Sequence, residues 1–129
     1  MKRILVIEDD PAISYFIGQC LKLGNYSVLK ALDGAVGLSL ATGLYPDLVL
    51  CDLNLPSLNG LEILKQLRQD ATTTQIPFIL LTSHTDLQTH ENALKLGANV
   101  FLSKPVRAKK LLATVQSQLE NISLPSAAE

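Results

Sequence analysis

The fold is decided by the stretch Ile4-Leu5-Val6-Ile7-Glu8-Asp9-Asp10, in which an apolar run of strand length ends directly in acidic residues. Three later apolar runs also end in polar residues: Leu48–Cys51 in Asp52, Phe78–Leu81 in Thr82, and Val100–Leu102 in Ser103 and Lys104. In an open parallel sheet, ligands bind in the crevice beyond the carboxyl ends of the strands. The pattern therefore predicts one rim of a sheet that carries several carboxylates, a hydroxyl and an ammonium group.

This combination of groups indicates phosphate chemistry. Carboxylates crowded within a few ångströms repel one another unless a proton or a cation intervenes. A small number of oxygen ligands with room for water favours Mg²⁺. An aspartate beside such an ion can attack a phosphoryl donor and form an aspartyl phosphate, while the ion and a lysine neutralise the transferring oxygens. A nearby hydroxyl can then donate to the new phosphoryl group.

Composition narrows the class of protein. The 129 residues are 47% hydrophobic and 18% charged, which suits one compact domain. The net charge of -1 gives no indication of direct binding to nucleic acid or to a membrane. The first apolar run is too short for a signal peptide or a bilayer span, so we expect a cytoplasmic protein. Cys20 and Cys51 lie in apolar contexts without a metal-binding spacing, which predicts buried free thiols.

Short apolar strands alternate with amphipathic segments along the chain, a pattern typical of βαβ units and a parallel sheet. Strands are predicted at residues 4–7, 26–32, 47–51, 78–81 and 100–102. Helices are predicted to begin at Pro11, Gly34, the Asn59-Gly60 step, a capping box at Thr85, and about Arg107. Asp10 is expected to cap the first helix, and Gly97 is expected to end the fourth. Residues 1–121 then form the domain, and residues 122–129 form a tail or the start of a linker.

Taken together, these residues resemble the response-regulator receiver domain, the aspartate-phosphorylated part of two-component signalling, over residues 2 to about 121. The resemblance implies an α/β fold, a doubly wound five-stranded parallel sheet of (βα)5 type with the flavodoxin-like strand order 2-1-3-4-5. It implies a signalling module, not an enzyme, that catalyses only its own phosphorylation and dephosphorylation. Mg²⁺ is the implied cofactor.

The resemblance also implies roles for the residues at the strand ends. Asp52 matches the phosphoacceptor, Thr82 the switch hydroxyl, and Lys104 the lysine that meets the phosphate. Asp9 matches a direct Mg²⁺ ligand, and Glu8 one that acts through water. The backbone carbonyl of Asn54 matches a further ligand of the ion.

Other positions match features around the phosphoryl pocket. Lys104-Pro105 matches a step with a cis peptide, and Phe101 matches an aromatic rotamer switch. Ile13 and Pro105 are candidates for partner docking. His84, two residues after Thr82, borders the pocket, where it either orients water or shields the phosphoryl group from it.

The implied partners are a sensor histidine kinase or a histidine phosphotransfer protein as donor, and a downstream output protein or domain. The implied output surface is formed by the fourth helix, the fifth strand and the fifth helix. The fifth helix carries Arg107, Lys109 and Lys110 and lacks the charge pattern of the family's symmetric dimers. We therefore expect a monomer or a weak dimer.

Each residue also has a simpler interpretation. Asp9 and Asp10 would serve equally as helix caps, and Phe101 as a core residue. Alone, Thr82 would be an ordinary strand-end residue and Lys104 an ordinary surface lysine. The prediction for these two residues therefore depends on their occurrence together with the carboxylates. The basic residues of the last helix favour a solvated surface over a nucleic-acid site.

Alternative functions use the same architecture. A non-phosphorylated pseudo-receiver that acts as an interaction module would normally have lost a key residue, and all are present. A metal-dependent phosphohydrolase of the haloacid dehalogenase type needs a second Asp where this chain has Asn54, and this chain has Pro56 at the fifth position of that motif. A flavodoxin-like redox protein is disfavoured, because the acids after the first strand would repel a flavin phosphate.

Overall fold

Strands and helices alternate along the whole of the described chain. The computed structural model describes residues 1–83 and 86–123. Its strands are β1 Arg3–Ile7, β2 Ser27–Ala31, β3 Leu48–Asp52, β4 Phe78–Thr82 and β5 Val100–Ser103. Its helices are α1 Pro11–Leu23, α2 Gly34–Leu44, α3 Gly60–Gln69, α4 Leu87–Leu96 and α5 Ala108–Ser123. The predicted alternation of five strands and five helices is confirmed.

The five strands form one parallel sheet in the order β2-β1-β3-β4-β5. The predicted strand order is therefore confirmed. From β1 the chain crosses to β2 on one side, and it then returns to β3 on the other side. This reversal opens a crevice between the carboxyl ends of β1 and β3, where open α/β sheets bind their ligands.

Both faces of the sheet are covered, because successive side chains of a strand point to opposite faces. In β1, Ile4 and Val6 pack with the inner faces of α1 and α5, whereas Leu5 and Ile7 pack with α2, α3 and α4. All four side chains are completely buried. Cys20 and Cys51 are buried free thiols, as predicted. Among the described residues, no helix combines the length and the apolar character that a bilayer crossing requires.

Side-chain caps fix where the helices begin. The Asp10 carboxylate accepts hydrogen bonds from the amides of Ala12 and Ile13, at 2.9 and 3.2 Å. This confirms Asp10 as the cap of α1. At the other end of the fold, Gly97 ends α4 with a left-handed backbone, φ 107°, as expected from its position.

The predicted capping box of the fourth helix is wrong by one residue. Asp86 is the N-cap, with an extended backbone, and its carboxylate accepts from the Thr89 amide at 3.0 Å and the Thr89 hydroxyl at 2.6 Å. The ionised carboxylate is the stronger acceptor, and its spacing from Thr89 suits an N-cap. Thr85 lies outside the described residues. At the other terminus α5 continues to Ser123, past the expected end at residue 121.

Candidate functional site

Three carboxylates meet at the crevice between β1 and β3. Glu8 and Asp9 follow β1 directly, and Asp52 is the last residue of β3. One carboxylate oxygen from each lies within 4.8 Å of the others. Glu8 and Asp52 are buried, with 0% and 6% of their surfaces exposed, whereas Asp9 is open to solvent. These carboxylates converge at one rim, as the sequence predicts.

Lys104 supplies the positive charge of the site. Its ammonium group lies 2.8 Å from Glu8 Oε1 and 3.0 Å from Asp52 Oδ2. The residue directly follows β5, and its amide donates to the Thr82 carbonyl at 3.0 Å. Lys104 therefore bridges the two buried carboxylates from the opposite side of the crevice. The sequence predicted that it faces Asp52, but the bond to Glu8 was missed because it depends on side-chain conformation.

Burial and charge act in opposite directions on this ion pair. Burial raises the pKa of Glu8 above 4.5, and the hydrogen bonds from Lys104 and the Asp10 amide only partly offset it. Burial lowers the pKa of Lys104, but the hydrogen bonds to Glu8 and Asp52 outweigh it, so the net pKa lies above 10.5. Lys104 is therefore held as a cation by two carboxylates, while Glu8 is a carboxylate whose charge is costly to bury.

The Cys51 thiol lies behind the site, and the negative charge of the site affects its pKa. Burial raises the pKa of the Cys51 thiol well above 9.0, and the charges of Asp52 and Glu8 raise it further. A thiol in this environment stays protonated and unreactive. Cys51 therefore contributes packing beneath the site and takes no part in its chemistry.

Thr82 ends β4 beside the phosphoacceptor candidate. In the parallel register Asp52 pairs with Leu81, and Thr82 pairs with Ser103. Only 1% of the Thr82 surface is exposed. The residue thus stands at the same rim as Asp52 and Lys104.

A glycine that sequence analysis treated only as a turn signal shapes the floor of the site. The Gly60 amide donates to the Leu53 carbonyl at 2.9 Å, and a Cβ atom on Gly60 would lie 2.4 Å from the Asp52 carbonyl oxygen. Only glycine permits this approach between the start of α3 and the end of β3. Asn54 lies exposed in the intervening loop. The signal was the Asn59-Gly60 pair, but sequence alone gives no information about what a glycine touches.

The remaining candidate residues surround the rim. The peptide bond between Lys104 and Pro105 is cis. Ile13 and Pro105 line one cavity of about 220 Å³ together with Phe16 and Val106. His84 lies outside the described residues.

Phe101 is half-buried on β5 and packs against the core on the α4 side of the sheet. Its ring centroid lies 3.7 Å from that of His90 on α4. Sequence analysis left open whether Phe101 is a core residue or a switch, and it gave no reason to pair it with His90.

Comparison with known proteins identifies the family. Residues 4–116 match the response regulator receiver domain. The DNA-binding dual master transcriptional regulator RpaA of Synechocystis sp. is 38% identical over all of this chain and 54% of its own length. Protein PilH of Pseudomonas aeruginosa is 37% identical over 92% of this chain and 98% of its own length. The chain therefore spans about half of one of these relatives and nearly all of the other.

Solved structures agree with the sequence relatives. The crystal structure of a CheY-like response regulator receiver domain protein from Methanospirillum hungatei has a TM-score of 0.89 and 28% identity. The match covers 95% of this chain and 97% of that one. Receiver domains are signalling modules and not classical enzymes. The match to the receiver domain over residues 4–116, the strand order and the acidic cluster at the switch point agree, and this chain belongs to the response-regulator receiver family.

Proposed function

We propose that this protein is a phosphoacceptor receiver of a two-component phosphorelay. In this proposal Asp52 accepts a phosphoryl group, with Mg²⁺, from a histidine kinase or a histidine phosphotransfer protein. The observation that carries the proposal is the position of the Asp52 carboxylate, within 4.8 Å of the Glu8 and Asp9 carboxylates and 3.0 Å from the Lys104 ammonium. The proposal includes a cytoplasmic location for the protein.

The donor set of the acidic cluster fits Mg²⁺. Its three carboxylates supply hard oxygen ligands, and the open side at Asp9 leaves room for water. Asp9 and Asp52 would hold the ion directly, Glu8 would act through water, and the carbonyl of Asn54 would contribute from the loop. When bound, Mg²⁺ supplies charge neutralisation for phosphoryl transfer.

The chemistry then falls to residues of the chain. A carboxylate oxygen of Asp52 forms a bond to phosphorus as the bond to the donor nitrogen breaks, and the donor imidazole keeps the electron pair. Lys104 exchanges its bond to Asp52 Oδ2 for one to a phosphoryl oxygen, where it offsets the new charge. The hydroxyl of Thr82 donates to another phosphoryl oxygen, which gives the chain a means of sensing the modification.

An apolar groove next to the site supports docking of a phosphodonor protein. Ile13, Phe16, Pro105 and Val106 line the cavity of about 220 Å³, and Lys104 lies at its edge. A helix that carries the phosphohistidine could bury apolar side chains there while presenting the phosphoryl group to Asp52. The signal would leave through a second surface formed by α4, β5 and α5, with Phe101 as its aromatic switch.

The alternatives have weaker support. A pseudo-receiver has no use for a buried carboxylate pair held by a lysine, an arrangement that costs desolvation. A phosphohydrolase of the haloacid dehalogenase type lacks its second acid, because the position two residues after Asp52 is Asn54.

The experiment that tests the proposal is intact-mass analysis after incubation with acetyl phosphate or phosphoramidate. We expect one added phosphoryl group in the parent with Mg²⁺ and almost none with a chelator. Asp52→Asn should take up none, whereas the matched variant Glu91→Gln, which removes an exposed carboxylate of α4, should label like the parent. Equal labelling of Asp52→Asn would contradict the proposal.

A further inference from the structure

A close aromatic contact joins α4 to β5. The rings of His90 and Phe101 have centroids 3.7 Å apart and planes tilted by 38°. Both residues are half-buried, and Phe101, on the edge strand β5, is the register partner of Leu80 on β4. Aromatic pairs in contact contribute attraction beyond the area that they bury.

Thr82 and Lys104 are the two groups that would meet a phosphoryl oxygen. His90 follows Thr82 along the chain, and Phe101 precedes Lys104. The chain runs from Thr82 at the end of β4 into α4, which carries His90. It runs from Phe101 along β5 into Lys104. Thr82 and Lys104 are themselves joined, because the Lys104 amide donates to the Thr82 carbonyl at 3.0 Å. The two groups are therefore linked to each other and, along the chain, to the two elements that the aromatic contact joins.

We propose that His90 is a positioning residue that holds Phe101 in the arrangement in which Lys104 pairs with the Asp52 carboxylate, and that this contact opposes phosphorylation-dependent switching. The inference rests on the proposed function. Phenylalanine has no hydroxyl with which to fix its orientation, so the neighbouring imidazole ring supplies the restraint.

Thermodynamic linkage gives the direction in which loss of the His90 ring changes the equilibrium between the two arrangements. Any contact that is stronger in one arrangement than in the other shifts their equilibrium by the difference. A phosphoryl group that draws Thr82 and Lys104 inward weakens the contact between His90 and Phe101. Loss of the imidazole should therefore favour the phosphoryl-bound arrangement, by about two- to tenfold if the whole contact is lost.

The test uses beryllofluoride, a stand-in for the phosphoryl group, titrated in Mg²⁺ and followed by amide NMR. His90→Ala and the space-filling variant His90→Leu should bind it about two- to tenfold more tightly than the parent. His90→Phe keeps an aromatic ring and should restore the parent affinity. Gln88→Ala, an exposed change on the same helix, is the matched control and should leave the affinity unchanged.

A spectroscopic readout separates positioning from simple loosening of α4. The chain has three phenylalanines, so ring signals from labelled Phe are easily resolved, and Phe16 and Phe78 serve as references. Before any addition, the Phe101 signals of His90→Ala should lie toward the positions that beryllofluoride gives the parent, whereas in His90→Phe, which adds a fourth phenylalanine, they should stay near the parent values. Unchanged or weaker binding by both His90→Ala and His90→Leu would overturn the proposal, as would equal tightening by Gln88→Ala.

Acetyl phosphate labelling distinguishes this failure from failure of the proposed function. If the parent and all His90 variants are labelled on Asp52 while the beryllofluoride affinities are identical, only the role of His90 is wrong. If the parent takes up neither group, the proposed function fails and the role of His90 fails with it.

Discussion

At the scale of single residues, the site is defined by an imbalance of charge. Glu8, Asp9 and Asp52 place three carboxylates around the single ammonium of Lys104 among the described residues of the cluster. Such an arrangement costs free energy unless a further cation binds. The excess of negative charge is the physical reason to expect a divalent ion here.

Asp9→Asn tests that imbalance. Removing this carboxylate relieves repulsion, so the metal-free variant should be as stable to urea as the parent or more stable. The parent should gain about 1.4 kcal/mol in free energy of unfolding when Mg²⁺ is present at ten times its dissociation constant, and the variant should gain almost nothing. A clear loss of stability in metal-free Asp9→Asn would instead indicate a structural capping role.

The raised pKa of Glu8 predicts a specific pH dependence. Its pKa in the folded protein lies above the ordinary value of 4.5, so the folded state binds the proton more tightly than the unfolded state does. The contribution of Glu8 to stability is therefore fully present below pH 4.5 and is lost as the pH rises through the folded pKa. With a chelator present, the urea midpoint of the parent should fall as the pH rises, and that of Glu8→Gln should fall less. A pH profile identical to that of the parent would contradict the assignment.

The convergence of these side chains at one rim was predictable from sequence, and their individual contacts were not. Each functional group stands at the end of an apolar run, so strand topology alone brings Glu8, Asp52 and Lys104 to one rim. The pairing of Lys104 with Glu8 and that of His90 with Phe101 depend on side-chain conformations. No local pattern in the sequence encodes them.

At the scale of elements, the connection between β3 and α3 fixes the position of Asp52. Gly60→Ala would place a methyl group against the Asp52 carbonyl, so we expect a loss of about 1–3 kcal/mol in free energy of unfolding and slower labelling of Asp52. Gly43→Ala is the matched control, because a Cβ there meets nothing within 4 Å. It lies in α2 and should gain about 0.5 kcal/mol. Urea unfolding measures both, and equal effects of the two changes would contradict this description.

Element boundaries were predictable where a cap is unambiguous. Asp10 stands immediately before Pro11, and both residues favour a helix start. At α4, Thr85 and Asp86 are adjacent and both suit a cap, so sequence could not choose between them. The structure resolves the choice for Asp86 through its bonds to Thr89.

At the scale of the whole molecule, we propose two surfaces for different partners. The groove of Ile13 and Pro105 lies beside Lys104, and Phe101 stands on β5 within the proposed output surface of α4, β5 and α5. Sequence predicted the layered fold because short apolar strands alternate with helical segments along the chain. It could not predict the groove, whose walls come from α1 and from the segment after β5.

Ile13→Glu tests the docking groove. Transfer from a phosphotransfer protein that carries phosphohistidine should slow at least tenfold, because a buried carboxylate in the contact is costly, while labelling by phosphoramidate stays near the parent rate. Leu23→Glu makes the same change at the exposed far end of α1 and should affect neither reaction. Parallel loss of both reactions in Ile13→Glu would indicate misfolding and not a docking role.

The most direct test of the central claim is to locate the phosphoryl group in the labelled protein. After reaction with acetyl phosphate and Mg²⁺, fragment mass spectrometry should assign one phosphoryl group, labile in both acid and base and released by hydroxylamine, to the peptide that contains Asp52, and to no other. A phosphoryl group on a different residue, or none on Asp52 under conditions in which the chain remains folded, would contradict the account.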